Sequence, residues 1–120
     1  MILVDTSVWV DHLRRDNPRL RALLGNAAVS CHPFVIGELA CGTMRNREVV
    51  LDLLARLPSV PVAQHREALA FIESRRLMGS GLGWVDINLL ASALLGGVQL
   101  WTLDRALREA ATSLGVASAG

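Results

Sequence analysis

Two kinds of hydrophobic pattern alternate along the chain. Residues 2–4 form a continuous apolar run that stops at Asp5, and residues 98–103 form a second strand candidate. Between them, apolar residues recur at the i, i+3, i+4, i+7 spacing of an amphipathic helix, as in Val50, Leu53, Leu54 and Leu57. The chain therefore reads as short strands separated by helices.

The boundaries of these elements follow from capping residues and from Pro and Gly. Asn17-Pro18 is a typical helix start, and Gly25-Asn26 is a typical helix end. The pattern predicts helices over residues 8–13, 18–24, 33–40, 50–57, 64–78 and 85–96, with a last helix after Asp104. It predicts strands over residues 2–5, 27–30 and 98–103, a brief extended piece between Pro58 and Pro61, and a candidate edge strand over residues 116–118.

Alternating strands and helices indicate an α/β fold, in which a parallel sheet is covered by helices on both faces. We expect one domain over residues 1–120, because this length lies within the usual range for a domain. Ligands in such folds bind beyond the carboxyl ends of the strands. Asp5 and Asp104 each follow an apolar strand closely, so both are expected at that edge.

Composition adds three expectations. No apolar run approaches the roughly 20 residues that cross a bilayer, and no signal-peptide core follows a basic start, so we expect a cytoplasmic protein with no membrane partner. Cys31 and Cys41 match no metal-binding spacing and are typical of a reduced compartment. The mean hydropathy of +0.38 is high for a small monomer, which hints at an interface.

Four acidic residues are candidates for chemistry: Asp5, Glu38, Asp86 and Asp104. Each aspartate precedes or begins a predicted helix, so helix capping is the simpler explanation for any one of them. Glu38 lies in the apolar stretch FVIGELA, so we expect it to be crowded by apolar neighbours such as Val35, Ile36 and Leu39. Burial of a lone charge there would be costly. If the four carboxylates converge, they require a positive partner.

A hard divalent cation with oxygen ligands would satisfy such a cluster. Mg²⁺ or Mn²⁺ held by carboxylates can activate water and stabilise the charge that develops on a phosphodiester. The hydroxyls of Thr6, Ser7 and Thr102 lie near the strand ends and can orient a carboxylate or bond the local backbone. For Thr6 and Thr102 the local role is favoured.

Three stretches in this order resemble a PIN-domain ribonuclease, specifically a VapC-type toxin of a bacterial toxin–antitoxin pair. They are VDTSVWVDHL at the start, VIGELACG in the middle, and GWVDINLLASALL followed by LWTLDRAL. The resemblance covers nearly the whole chain. It implies a three-layer α/β/α fold, Mg²⁺ or Mn²⁺ dependence, RNA endonuclease activity, a homodimer, and inhibition by a small VapB-like antitoxin.

The resemblance also implies roles for individual residues. The first-strand aspartate of the family matches Asp5, with the supporting hydroxyl at Ser7 or Thr6, and its glutamate matches Glu38. The helix-start aspartate matches Asp86, and the aspartate of the T-x-D turn matches Asp104. Asp5, Asp86 and Asp104 are the expected metal ligands, and all four acids are the expected catalytic set.

Two alternatives remain beside the nuclease interpretation. A phosphotransfer enzyme of the dehalogenase-like type would need a second aspartate where Ser7 stands and a lysine, and all 12 basic residues are Arg. A non-catalytic RNA-binding or interaction module on the same fold is the other. Arg14, Arg15, Arg45 and Arg47 are candidate contacts to an RNA backbone or plain solvated charges. Trp9, Trp84 and Trp101 are interpreted as core or interface anchors rather than base-stacking platforms. Trp84, which lies beside a Gly-rich loop and near Asp86, is the one to check for substrate contact.

Overall fold

The computed structural model describes residues 1–118 and contains a three-stranded parallel sheet surrounded by helices. The strands are β1 (Ile2–Val4), β2 (Val29–Ser30) and β3 (Gln99–Trp101). The helices are α1 (Thr6–Arg15), α2 (Pro18–Gly25), α3 (Pro33–Cys41), α4 (Arg47–Arg56), α5 (His65–Arg75), α6 (Trp84–Gly96) and α7 (Arg105–Ser113). This arrangement is the expected three-layer α/β/α sandwich.

The sheet has the strand order β2-β1-β3, so the first strand is central. Leu3 lies opposite Ser30 on one side and opposite Leu100 on the other. A single parallel bridge between Cys31 and Ser59 extends the sheet beyond β2. Because all three strands run in the same direction, their carboxyl ends meet at one edge. The Asp5 N–H donates to the carbonyl of Trp101 at 2.9 Å, which joins the ends of β1 and β3.

Several predicted boundaries differ from the structure by a few residues, and three of these differences bear on the shape of the site's surroundings. The helix expected to reach Met78 ends at Arg75, because Arg76 adopts a left-handed conformation with φ 54°. The strand expected to reach Leu103 ends at Trp101, since the Thr102 hydroxyl accepts the Asp104 N–H in a tight turn. The candidate edge strand over residues 116–118 is reduced to one bridge between Leu100 and Ala117.

The core lies between the sheet and α6. Leu3, Leu100, Leu89 and Leu90 are almost completely buried, and every residue from Ile87 to Ala93 in α6 is buried. A helix that is buried around its whole circumference is held firmly in place. Its first turn carries Asp86, so core packing fixes the base of that side chain.

Within residues 1–118, no helix is both long and apolar enough to cross a membrane.

Candidate active site

Asp5 lies at the centre of a hydroxyl network at the carboxyl edge of the sheet. The residue is only 6 % exposed. The hydroxyls of Ser7 and Thr102 both donate to its Oδ2, each at 2.7 Å, and the Ser7 N–H approaches the same oxygen at 3.4 Å. These donors stabilise the charged carboxylate in a place where burial would otherwise disfavour it.

The same two hydroxyls connect Asp5 to the turn that carries Asp104. The Leu103 N–H donates to Ser7 Oγ at 3.0 Å, and the Asp104 N–H donates to Thr102 Oγ1 at 3.0 Å. Each hydroxyl therefore accepts from the turn and donates to Asp5. The relative positions of the two aspartates are fixed by hydrogen bonds across residues that are far apart in sequence.

The helix-capping interpretation is correct for all three aspartates. Asp5 caps α1, Asp104 Oδ2 accepts the Leu107 N–H of α7 at 2.9 Å, and Asp86 Oδ2 accepts the Gly83 N–H at 2.9 Å. In each case the hydrogen bonds from residues 1–118 go to Oδ2. The second carboxylate oxygen of each aspartate is left for another partner, so capping and ligand binding do not exclude each other.

Glu38 is exposed, contrary to the expectation that its apolar neighbours crowd it. Val35 and Leu39 of α3 face the core, and Glu38 lies on the outer side of the same helix. The Thr6 hydroxyl donates to its Oε1 at 2.7 Å and so links α1 to α3. The local role favoured for Thr6 and Thr102 is therefore incomplete, since each holds a carboxylate from a distant part of the chain.

The pKa of Asp86 indicates that the four acids lie close enough to interact electrostatically. Burial is the largest cause of a raised pKa for this carboxyl group, and the hydrogen bond from the Gly83 N–H opposes it. Three further causes are negative charges that also raise the pKa of Asp86, those of Asp5, Asp104 and Glu38. The fold therefore brings all four predicted acids together.

Within residues 1–118, no ion pair involves the four acids of this cluster. The ion pairs of that part of the chain bind other acids, namely Asp11, Asp16, Asp52 and Glu109. Nor do three acidic, His or Cys side chains of residues 1–118 already converge on one coordination point. The four acids therefore leave ligand positions around a bound cation that water could fill. Mg²⁺ keeps several water ligands and commonly takes only one or two carboxylates directly, so such a donor set fits it.

A cavity of about 450 Å³ opens beside Glu38 between α1 and α3. Arg14 and Arg45 line it, together with Thr6 and Met44. The other two candidate arginines lie outside its lining. Arg15 pairs with Asp11 at 2.8 Å, and Arg47 donates to the Ala40 carbonyl at 2.7 Å. The structure thus separates the four arginines into two that face the cavity and two with partners elsewhere.

Comparison with known proteins agrees with this fold. A model of the PIN domain family matches residues 2–112. The crystal structure of PAE2754 from Pyrobaculum aerophilum superposes with a TM-score of 0.60 at 17 % identity, covering 90 % of this chain and 77 % of that one, and supports the fold. The chain therefore belongs to the PIN-domain family.

Its curated relatives are more specific. Ribonuclease VapC32 of Mycobacterium tuberculosis, from strain CDC 1551 / Oshkosh, is 56 % identical over 120 residues, which cover 99 % of this chain and 97 % of the relative. The protein of the same name from strain ATCC 25618 / H37Rv matches equally well. The resemblance to VapC-type toxins that the sequence motifs indicate is thereby confirmed.

Proposed function

We propose that this protein is a metal-dependent endoribonuclease and the toxin component of a type II toxin–antitoxin pair. The single observation that carries the chemistry is that four carboxylates gather at the carboxyl edge of the sheet, where Asp5, Asp104 and Glu38 are close enough to help raise the pKa of Asp86. Like charges at one edge disfavour each other's ionisation unless a cation neutralises them. The 56 % identity to a protein named ribonuclease supports the choice of RNA as substrate.

In this proposal, Asp5, Asp86 and Asp104 would hold Mg²⁺ or Mn²⁺, either directly or through its water ligands. When bound, the cation supplies a Lewis acid that activates water and neutralises charge on the phosphodiester. The hydroxyls of Ser7 and Thr102 keep Asp5 Oδ2 occupied and so orient the free oxygen of Asp5. Burial of the residues that follow it in α6, from Ile87 to Ala93, keeps the backbone of Asp86 in place.

Glu38 has a different role in the proposal. Its Oε1 is held by the Thr6 hydroxyl, and its side chain is the exposed member of the set. An exposed carboxylate next to a cavity can reach both water and the RNA strand. We assign it to orient the attacking water, with Arg14 and Arg45 beside it as contacts for phosphate groups.

The relationship to VapC proteins extends the proposal to partners. A VapB-like antitoxin is expected to inhibit the enzyme, and the toxin is expected to act as a cytoplasmic homodimer. Addition of the antitoxin encoded beside this gene should abolish cleavage in the assay below.

The first test is cleavage of a mixed transfer and ribosomal RNA pool by the purified protein with Mg²⁺, with Mn²⁺ and with EDTA. The key variant is Asp86→Asn, whose amide oxygen still accepts the Gly83 N–H while its charge is lost. The matched control is Asp52→Asn, which removes an exposed acid that pairs with Arg56 on α4. We expect discrete, metal-dependent cuts that Asp86→Asn slows by about a hundredfold or more, and no loss in the control.

Two outcomes would contradict the proposal. If the protein cuts in none of the metal conditions after rigorous removal of the antitoxin, the non-catalytic RNA-binding module becomes the better interpretation. If Asp86→Asn cuts as fast as the unmodified protein, the activity comes from a contaminant or the site is elsewhere.

A further inference from the structure

An aromatic pair lies next to the acid cluster and has no part in the proposed chemistry. Trp84 begins α6 and His65 begins α5, and their rings are 5.1 Å apart at an interplanar angle of 54°. His65 is exposed, and Trp84 keeps 37 % of its surface accessible. The other two tryptophans, Trp9 and Trp101, are only 4 % and 5 % exposed. Trp84 is thus the indole that solvent and ligands can reach.

Trp84 and His65 are near the acids because Trp84 and Asp86 lie in the same turn of α6. Trp84 is two residues before Asp86, so by chain geometry their Cα atoms are at most about 7.6 Å apart. The two side chains leave α6 in different directions, because residues i and i+2 do not face each other. Both belong to the first turn of α6, so a strand that crosses the N-terminal end of this helix can meet the ring and the carboxylate in succession.

The loop before Trp84 lies close to the helix that Asp104 caps. Gly79 and Gly81 have φ values of 71° and 82°, which L side chains rarely adopt. A Cβ atom at Gly81 would lie 3.8 Å from the Cβ of Ala106 in the first turn of α7. The segment that leads into Trp84 is therefore next to the first turn of the helix that begins after Asp104.

We propose that Trp84, supported by His65, stacks on a base of single-stranded RNA next to the phosphate that the acids bind. Exposed aromatic rings are the usual platform for unpaired bases, because every base has a π-face. The inference rests on the proposed function and adds a base-binding subsite to it. Trp84 contacts the substrate, and His65 is a positioning residue that limits the orientation of the indole ring.

The experiment uses the intrinsic fluorescence of the full-length protein. Binding of short oligoadenylate is measured in the Asp86→Asn form, which keeps the RNA intact, and is compared with the same ribose-phosphate chain lacking bases. Because Trp9 and Trp101 are buried, quenching on binding reports Trp84. We expect oligoadenylate to quench the emission and the chain without bases to bind without quenching.

Three substitutions of Trp84 separate stacking from simple apolar contact, with binding measured by filter retention of labelled oligonucleotides because these variants lack the Trp84 emission. Trp84→Ala is expected to weaken oligoadenylate binding by about 5- to 150-fold, and to leave binding of the chain without bases unchanged. Trp84→Phe keeps a π-face and is expected to retain most of the affinity, whereas Trp84→Leu keeps apolar volume and is expected to lose it. If Trp84→Ala does not fold, the comparison of Trp84→Phe with Trp84→Leu still tests stacking.

A matched pair at the second ring tests the positioning role. His65→Ala is expected to cause a smaller loss than Trp84→Ala, again only for RNA that carries bases, and His65→Phe is expected to restore the affinity. A general structural defect would weaken both oligonucleotides equally, and that result would overturn the role of His65.

The proposal is wrong if Trp84→Ala weakens both oligonucleotides equally or neither of them. It is also wrong if Trp84→Ala changes only the oligomeric mass or the affinity for the antitoxin, because the ring is then part of a protein interface. Failure of the nuclease proposal has a different signature, in which base-dependent quenching persists although the unmodified protein cuts no RNA. Failure of stacking alone appears as cleavage with the same KM in the protein with and without Trp84→Ala.

Discussion

The acid cluster has two sides that are built in opposite ways. On the strand side, Asp5 is buried and receives two hydroxyl groups, and the same hydroxyls hold the turn before Asp104. On the helix side, Glu38 is exposed and receives one hydroxyl, that of Thr6. One side is a closed hydrogen-bond network and the other is a single contact between two helices.

This difference predicts that substitutions on the two sides affect stability and activity differently. Groups on the strand side also cap helices and join β1 to β3, so changes there should affect the free energy of unfolding as well as catalysis. Groups on the helix side are solvated, so changes there should affect catalysis alone. Asp86 is intermediate, because it accepts a capping hydrogen bond but carries a charge that its neighbours disfavour.

The largest expected effect on stability is that of Thr102→Val. This substitution keeps the shape of a side chain that is 4 % exposed, removes its hydrogen bond to Asp5 and leaves the Asp104 N–H without its acceptor. We expect the free energy of unfolding to fall by about 1–3 kcal/mol, measured by urea denaturation in EDTA.

Thr6→Val is the matched control on the helix side. It removes one hydroxyl of the same size, whose partner Glu38 can turn to solvent. We expect a change in unfolding free energy of about 0.5 kcal/mol or less, together with slower RNA cleavage. Equal destabilisation by the two valine variants would show that the two sides do not differ as described.

Asp86→Asn should stabilise the fold at neutral pH in EDTA. The pKa of Asp86 is raised by burial and by its three acidic neighbours, so the charged form is less favourable in the folded chain than in the unfolded one. The loss of stability that the charged Asp86 causes in the unmodified protein is fully present above the raised pKa of Asp86 in the folded state. It shrinks as pH falls through that value, and vanishes below the unfolded pKa of about 3.9. Thermal unfolding of both proteins across this range measures the difference.

The control for this titration is again Asp52→Asn, which tests the effect of removing one exposed negative charge. A gain in stability at pH 7 that is equal in both variants would reflect net charge rather than the cluster. A loss of stability in Asp86→Asn would mean that its capping bond to Gly83 depends on the charge, and the repulsion argument would be wrong.

Much of the scaffold was predictable because its signals are local. Asn17 caps α2 and Pro18 begins it, as the sequence pattern predicts. The continuous apolar run before Asp5 predicts a buried strand, and the central position of β1 in the sheet confirms it. The parallel arrangement follows from the alternation of strands and helices. This arrangement is sufficient to predict that Asp5 and Asp104 lie at the same edge of the sheet.

The parts that sequence reasoning missed depend on packing between distant segments. Thr102 reaches Asp5 across 97 positions, and Thr6 reaches Glu38 across 32. The exposure of Glu38 depends on which face of α3 packs against the core. Because apolar residues flank Glu38 on both sides in the sequence, the pattern did not indicate which face that is. The i, i+2 spacing of Thr102 and Asp104 after a strand was a usable signal, since it places a hydroxyl and a carboxylate in one turn.

The smallest expected effect compares two adjacent arginines of α1. Arg14 lines the cavity beside Glu38, whereas Arg15 lies outside that lining and pairs with Asp11. If RNA passes through the cavity, Arg14→Gln should remove one phosphate contact and lower the slope of log binding constant against log salt by about 0.7. Arg15→Gln should leave the slope unchanged.

Filter binding of single-stranded RNA at several salt concentrations, in the Asp86→Asn background, measures both slopes. Both arginines are exposed, so neither substitution should change the free energy of unfolding by more than about 0.5 kcal/mol. Equal slopes for the two variants would show that the positive charge of α1 acts at long range, and that the cavity beside Glu38 is not the path of the RNA strand. A lower slope for Arg14→Gln alone would place the strand on the helix side of the cluster, where Glu38 is free to meet it.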